Sequence, residues 1–151
     1  MAQHPSPTGG PVVVGVDGSE ESVAALRWAV EAARLRVVPL RVVHTWQYPQ
    51  WLLGPGASTL PGPVDEMDAA AHGLIHRVLA GVDTHGVTIE TAIVQGDIVS
   101  VLLDEAERAA LVVLGRRGIG GVRRLLLGSV SSGVVHGAKC PVVILPHEVD
   151  A

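Results

Sequence analysis

The sequence predicts an α/β protein: a single doubly wound, parallel, five-stranded sheet with helices on both faces. Three observations predict it. Short aliphatic runs alternate with longer amphipathic segments along the chain, and strands that alternate with helices need right-handed crossovers and lie parallel. The runs are continuous, as in Val12-Val13-Val14 and Leu111-Val112-Val113-Leu114, which suits strands buried on both faces. The composition is 48% hydrophobic with 18 glycines and no phenylalanine, so small and branched aliphatics must fill the core. The length of 151 residues fits one domain. Residues 1–10 read as a flexible N-terminal tail, 11–147 as the domain and 148–151 as a C-terminal tail.

Each element follows from local signals. Val12, Val13, Val14 and Val16 form a first strand that ends at Asp17. Ser19 caps a helix with Glu20 and Glu21 in its first turn. Val23, Leu26, Trp28, Ala29, Val30 and Ala33 give that helix an apolar face to about Arg36. The second strand is Val37 to Thr45, with Pro39 near its start. Residues 46–63 are rich in Pro and Gly and read as a loop, long for a compact domain and of a kind often functional. Val64 to about Val82 is a second helix with Met67, Ala71, Leu74, Ile75, Val78 and Leu79 inward. Val87 to Val94 alternates as a third strand. Gly96-Asp97 opens a third helix, with Ile98, Val101, Leu102 and Ala106 inward. Leu111 to Leu114 is a buried fourth strand. A Gly- and Arg-rich loop follows, Gly115 to Leu127. Gly128-Ser129 then opens a short helix through His136, and Val142 to Leu145 is the fifth strand.

Composition also excludes function classes. The net charge is −4, whereas a nucleic-acid binder usually carries a basic balance. The aromatics are Trp28, Trp46, Tyr48 and Trp51 alone, too few for a base-stacking platform. The lone Cys140 excludes an intrachain disulfide and a cysteine-based zinc site. The start lacks a secretory signal, and no stretch approaches the roughly 18 apolar residues that span a bilayer. A cytoplasmic protein without a membrane partner is expected.

In a doubly wound sheet the ligand sits beyond the carboxyl ends of the strands, where strand order reverses. Those ends are Asp17, Thr45, the Val94-Gln95 region and Gly115. At the last of them stands Gly115-x2-Gly118-x9-Gly128-Ser129, a spacing expected by chance only about 0.02 times in such a chain. Gly115 lets backbone approach a ligand, and Gly118 can take positive φ and turn amides into one concavity. Gly128 and Ser129 sit at a helix N-terminus, whose free N–H groups and dipole favour an anion. The pattern reads as a phosphate cradle. Arg116, Arg117, Arg123 and Arg124 cluster in the same loop, and Arg117, which precedes Gly118, is the arginine favoured to face phosphate. Asp17 suits ribose hydroxyls or the adenine amine as an acceptor, but equally a turn before Gly18.

Other motifs carry less. His72 and His76 are spaced i, i+4 but lack the Glu of a zinc-protease helix and read as a surface pair. His44 reads as a packed strand residue rather than a base. No nucleophilic triad can be argued from Ser22, Ser129, Ser131 and Ser132. A P-loop lysine and a catalytic base are both missing, so fast hydrolysis is not expected and no catalytic residue is assigned.

These residues together resemble the universal stress protein family. The resemblance rests on the strand into Val16-Asp17-Gly18-Ser19, on Val43-His44-Thr45, on the run into Gly115 with its glycine signature, and on Cys140-Pro141-Val142-Val143-Ile144-Leu145. It covers about residues 11–146, and the glycine signature is that of the family's ATP-binding branch. The resemblance implies a Rossmann-like fold that binds ATP or a related adenine nucleotide with Mg2+ or Mn2+ on the triphosphate. It places Asp17 at the nucleoside, Thr45 where backbone meets adenine, and Gly115, Gly118, Gly128, Ser129, Val130 and Ser131 around the ribose and phosphates. Gly15 fills a place where some members carry proline, and Arg116 one where a small residue is more usual. A homodimer through Val142, Val143, Ile144 and Leu145 is implied, and an uncharged aliphatic edge strand agrees with that. The expected role is stress-response regulation through nucleotide binding. The alternatives are a slow ATPase and a cyclic-AMP-binding signalling variant.

Overall fold

Five aliphatic runs form one parallel sheet in the order β3-β2-β1-β4-β5. The structure is a computed structural model that describes residues 9–47, 63–116 and 127–146. The strands are β1 (Val12–Gly15), β2 (Leu40–Trp46), β3 (Ile89–Gln95), β4 (Leu111–Gly115) and β5 (Val142–Leu145). Between them run α1 (Glu20–Arg36), α2 (Pro63–Ala80), α3 (Ile98–Ala106) and α4 (Ser129–Gly137). In register, Val12 stands beside Leu40 on one side and Leu111 on the other, and Val112 beside Val142.

Strand side chains alternate between faces, and the alternation divides the core in two. Val12, Val14, Leu40, Val42, Leu111 and Val113 pack with Leu26, Ala29, Val30 and Ile75 of α1 and α2. Val13, Val43, Val112 and Leu114 pack with Leu102, Ala106 and Val134 of α3 and α4. Both faces are thus covered, as continuous aliphatic strands require. The chain winds from β1 outward to β3, then returns to the other side of β1 to lay down β4 and β5. Strand order therefore reverses between β1 and β4.

The helix starts are capped as local chemistry dictates. Ser19 Oγ accepts from the Ser22 N–H at 3.2 Å, and Asp97 Oδ2 accepts from the Ser100 N–H at 2.9 Å. That bond to the Ser100 N–H holds the Asp97 carboxyl below the usual carboxylate range.

Three expectations need correction. The second strand begins at Leu40, not Val37. Val37 instead closes α1 in the left-handed conformation (φ 55°, ψ 47°), with the Val37 and Val38 N–H groups donating to Arg34 O and Ala33 O. That is a glycine-type helix stop built without glycine. Trp28, read as part of the apolar face of α1, is 39% exposed. Ala25, Leu26, Ala29, Val30, Ala32 and Ala33 are the hydrophobic residues buried under α1, with the indole left on the flank. The third strand starts at Ile89 rather than Val87, because the Val87 N–H is used in a turn to Thr84 O. The predicted tails and most of the 46–63 and 115–127 loops lie outside the described residues.

Candidate functional site

Beyond the carboxyl ends of β1 and β4 lies a cleft of about 270 Å³, just under the roughly 300–1,000 Å³ usual for ligand clefts. Gly15, Val16, Asp17, Ser19 and Ser22 line one wall, and His44 and Thr45 contribute the end of β2. Ile98 and Leu102 of α3 form an apolar side, Leu114 and Gly115 bring the end of β4, and Val130 and Ser131 bring the start of α4. The cleft stands at the reversal of strand order, where such sheets hold ligands.

The loop after β1 is fixed by its own polar groups. Asp17 Oδ1 accepts from the Ser19 N–H at 2.9 Å, which closes a tight turn through Gly18 at φ +86°. Ser22 Oγ accepts from the Asp17 N–H at 3.3 Å and donates to Ser19 O at 2.9 Å. Asp17 therefore performs the turn role and also lines the cleft.

The opposite wall is the N-terminus of α4. Its N-cap is Gly128, at φ −68° and ψ 168°, a residue with no side-chain cap of its own. A helix leaves its first N–H groups without backbone partners, and a glycine N-cap supplies no oxygen to satisfy them. This end thus offers amides and a positive dipole to an anion. The Ser131 hydroxyl donates to Gly115 O at 2.7 Å and the residue is only 3% exposed. Ser131 ties α4 to the end of β4. Ser129 is exposed.

Glycine at 115 has a reason that sequence reasoning missed. A Cβ there would meet Glu21 Cβ at 2.9 Å and the Glu21 backbone at 3.0 Å. The residue is small because β4 ends against the first turn of α1, and the space argued for a ligand is taken by that helix. At Gly15 a Cβ would meet Leu114 Cδ2 at 2.8 Å and Leu102 Cδ1 at 3.4 Å.

Of the sequence-predicted site residues, Gly15, Asp17, Thr45, Gly115, Val130 and Ser131 line the cleft, with Gly128 and Ser129 at the adjoining helix start. Arg117 and Gly118 lie outside the described residues, as do Arg123 and Arg124. Arg116 is described: its N–H donates to Leu145 O at 3.0 Å and its carbonyl accepts from the Gly128 N–H at 2.8 Å. Sequence reasoning missed Ser22, Ile98, Leu102 and His44. His44 Nδ1 donates to Val16 O at 2.7 Å, so the ring is a packed strand residue as expected, yet it also faces the cleft. The rule that selected Thr45 as a strand end would have reached it. His72 and His76 are both exposed on α2, as a surface pair. Among the described residues no group of three His, Cys, Asp or Glu converges as a metal site, and no helix is long and apolar enough to cross a membrane.

Comparison with known proteins bears on this geometry. The model of the universal stress protein family matches residues 10–146. A universal stress protein of Mycolicibacterium smegmatis is 36% identical over 138 residues, which are 89% of this chain and 47% of that protein. This chain spans about half the length of the curated relatives it matches. Among solved structures, a universal stress protein in complex with cAMP is 27% identical, with a TM-score of 0.57 over 90% of this chain and 95% of that one. The universal stress protein of Archaeoglobus fulgidus in complex with dAMP is 26% identical, with a TM-score of 0.54 over 89% and 95%.

Proposed function

This chain belongs to the universal stress protein family, and from that premise we propose that it binds an adenine nucleotide, ATP foremost, and acts as a stress-response regulator. One observation carries the reading. The N-cap of α4 is a glycine, which offers the helix amides no side-chain cap of its own, and this helix start adjoins the cleft at the reversal of strand order. A phosphate there would satisfy the orphan amides of α4 and sit on its dipole. The nucleoside would then extend along the cleft toward Asp17 and the end of β2, where His44 and Thr45 stand. Two relatives of the same family were crystallised with cAMP and dAMP, ligands that share the adenine and one phosphate.

The residues present fit such a group. The Asp17 carboxylate, an acceptor with about four lone-pair sites, suits ribose hydroxyls or the adenine amine. Ile98, Leu102 and Leu114 give the base an apolar surface. The loop Gly115-x2-Gly118-x9-Gly128-Ser129 is proposed to enclose the phosphates, with Arg117 among its cations. A bound Mg2+ or Mn2+ would neutralise phosphate charge, held by the nucleotide's own oxygens. The residues of this site bind and orient; none is assigned to hydrolysis. A second copy of the chain is the proposed partner, through Val142, Val143, Ile144 and Leu145, in a cytoplasmic protein.

The test is calorimetric titration of nucleotide-stripped protein, first with ATP and Mg2+, then with cAMP. Micromolar binding of ATP is expected. Tighter binding of cAMP would favour the signalling variant suggested by the cAMP complex of the relative. Absence of heat with either ligand, in folded protein, would overturn the nucleotide reading.

A further inference from the structure

Arg116 is held where a cation is hard to explain without a ligand. Its backbone is fixed at both ends, by the bond from its N–H to Leu145 O and by the bond from the Gly128 N–H to its carbonyl. Gly128 is the N-cap of α4, so the arginine stands one hydrogen bond from that helix start. Val112 and Leu114 face α3 and α4, and the period-two alternation of the strand puts Arg116 on that same face. A cation beside a helix N-terminus is an unfavourable pairing.

A second, independent observation sharpens this. The Nε of Arg116 is buried and has no hydrogen-bond partner among the described residues. A buried donor left unmade is costly, more so when it belongs to a cation. An anion between them would satisfy both the Arg116 donor and the first amides of α4. Natural structures rarely leave such groups unsatisfied without a reason in function.

We propose that Arg116 is a specificity-determining residue that selects nucleoside polyphosphates over monophosphates at this site. The inference rests on the nucleotide reading and deepens it. The α4 amides suffice for a single phosphate. The planar guanidinium adds a charge-assisted donor set suited to further phosphate oxygens, and its value grows with the negative charge of the ligand. A phosphodiester with one charge gains least, so the natural chain prefers ATP to cAMP and to AMP.

The experiment compares the natural chain with Arg116→Met and Arg116→Lys, using ATP and AMP as probes. Two readouts are taken: affinity by calorimetry and melting temperature without ligand. Arg116→Met should lose ATP affinity by about ten- to hundredfold, the worth of a hydrogen bond to a charged group, and lose much less for AMP. Its ligand-free melting temperature should hold or rise, by up to about 2–4 °C, because a buried unpaired donor has gone. Arg116→Lys keeps the charge without the Nε and should fall between. Equal losses for ATP and AMP would overturn the inference, as would unchanged ATP affinity. A fall in ligand-free melting temperature with unchanged selectivity would make Arg116 structural and overturn it too. If the natural chain binds neither probe, the nucleotide reading fails along with the inference; if it binds both and the variants match it, only the inference fails.

Discussion

Asp17 serves two demands that one substitution separates. Its Oδ1 accepts from the Ser19 N–H and shapes the turn, while its position on the cleft wall offers a charge to the ligand. Asparagine keeps the acceptor and removes the charge. Asp17→Asn should therefore fold with an unchanged urea midpoint and bind ATP more weakly by about 1–3 kcal/mol, the scale of a charged hydrogen bond. Calorimetry beside urea unfolding checks this; full affinity in the variant would leave Asp17 with its turn role alone. At this scale the strand ends pointed to Asp17, Thr45 and Gly115, though not to His44 beside Thr45. The sequence identified Gly115 but not the reason for it, because the neighbour that forbids a Cβ, Glu21, comes from α1, nearly a hundred positions earlier in the chain. Ser22, weighed only for a nucleophilic triad, was not placed on the cleft for a related reason. Its hydroxyl is committed to Ser19 and Asp17, bonds that only the folded loop after β1 brings together.

At the scale of elements, the helix boundaries teach most. The end of α1 was hard to place because its stop residue is Val37, and a β-branched residue rarely takes positive φ. Val37 is 91% exposed, so replacement loses no buried surface. Val37→Gly should stabilise the protein by about 0.5–1 kcal/mol. Relief of left-handed strain, about 1–2 kcal/mol, is partly offset by the greater freedom of glycine in the unfolded chain. Urea denaturation reads the sign; a destabilised variant would show that the fold tolerates Val37 without strain. The start of α4 poses the opposite question. Gly128 takes a φ of −68°, which any residue adopts, so its backbone does not require glycine. What glycine does there is supply no side-chain acceptor of its own to the helix amides. Gly128→Ser should raise ligand-free stability by a few tenths of a kcal/mol through a new cap and weaken ATP binding, because the hydroxyl competes for the amides that the phosphate needs. Gain of stability without loss of affinity would move the anion away from α4.

Over the whole molecule, the order of strands and helices was legible from the alternation of aliphatic runs and amphipathic segments. The position of the cleft followed from the reversal in strand order, since a chain that winds outward and returns must leave a gap beside its first strand. The two sheet edges were less legible, because edge character depends on which strands end up last. They prove unlike. β3 carries Glu90, Thr91 and Gln95 exposed along its length, and charge on an edge discourages pairing. β5 is Val-Val-Ile-Leu, each residue half-buried. The bonds from the Val112 N–H to Pro141 O and from the Arg116 N–H to Leu145 O fix which β5 groups face β4. Residues 141, 143 and 145 point inward to that ladder, so the N–H and carbonyl of Val142 and Ile144 point to the open edge. The proposed dimer needs those groups. Ile144→Pro removes an outward donor and no inward one, and proline is tolerated on edge strands. In sedimentation the natural chain should run as a dimer and Ile144→Pro as a monomer, with helix and strand content preserved by circular dichroism. A dimer that survives Ile144→Pro would place the contact on another face, and a natural chain that is monomeric at micromolar concentration would remove β5 as a self-pairing edge.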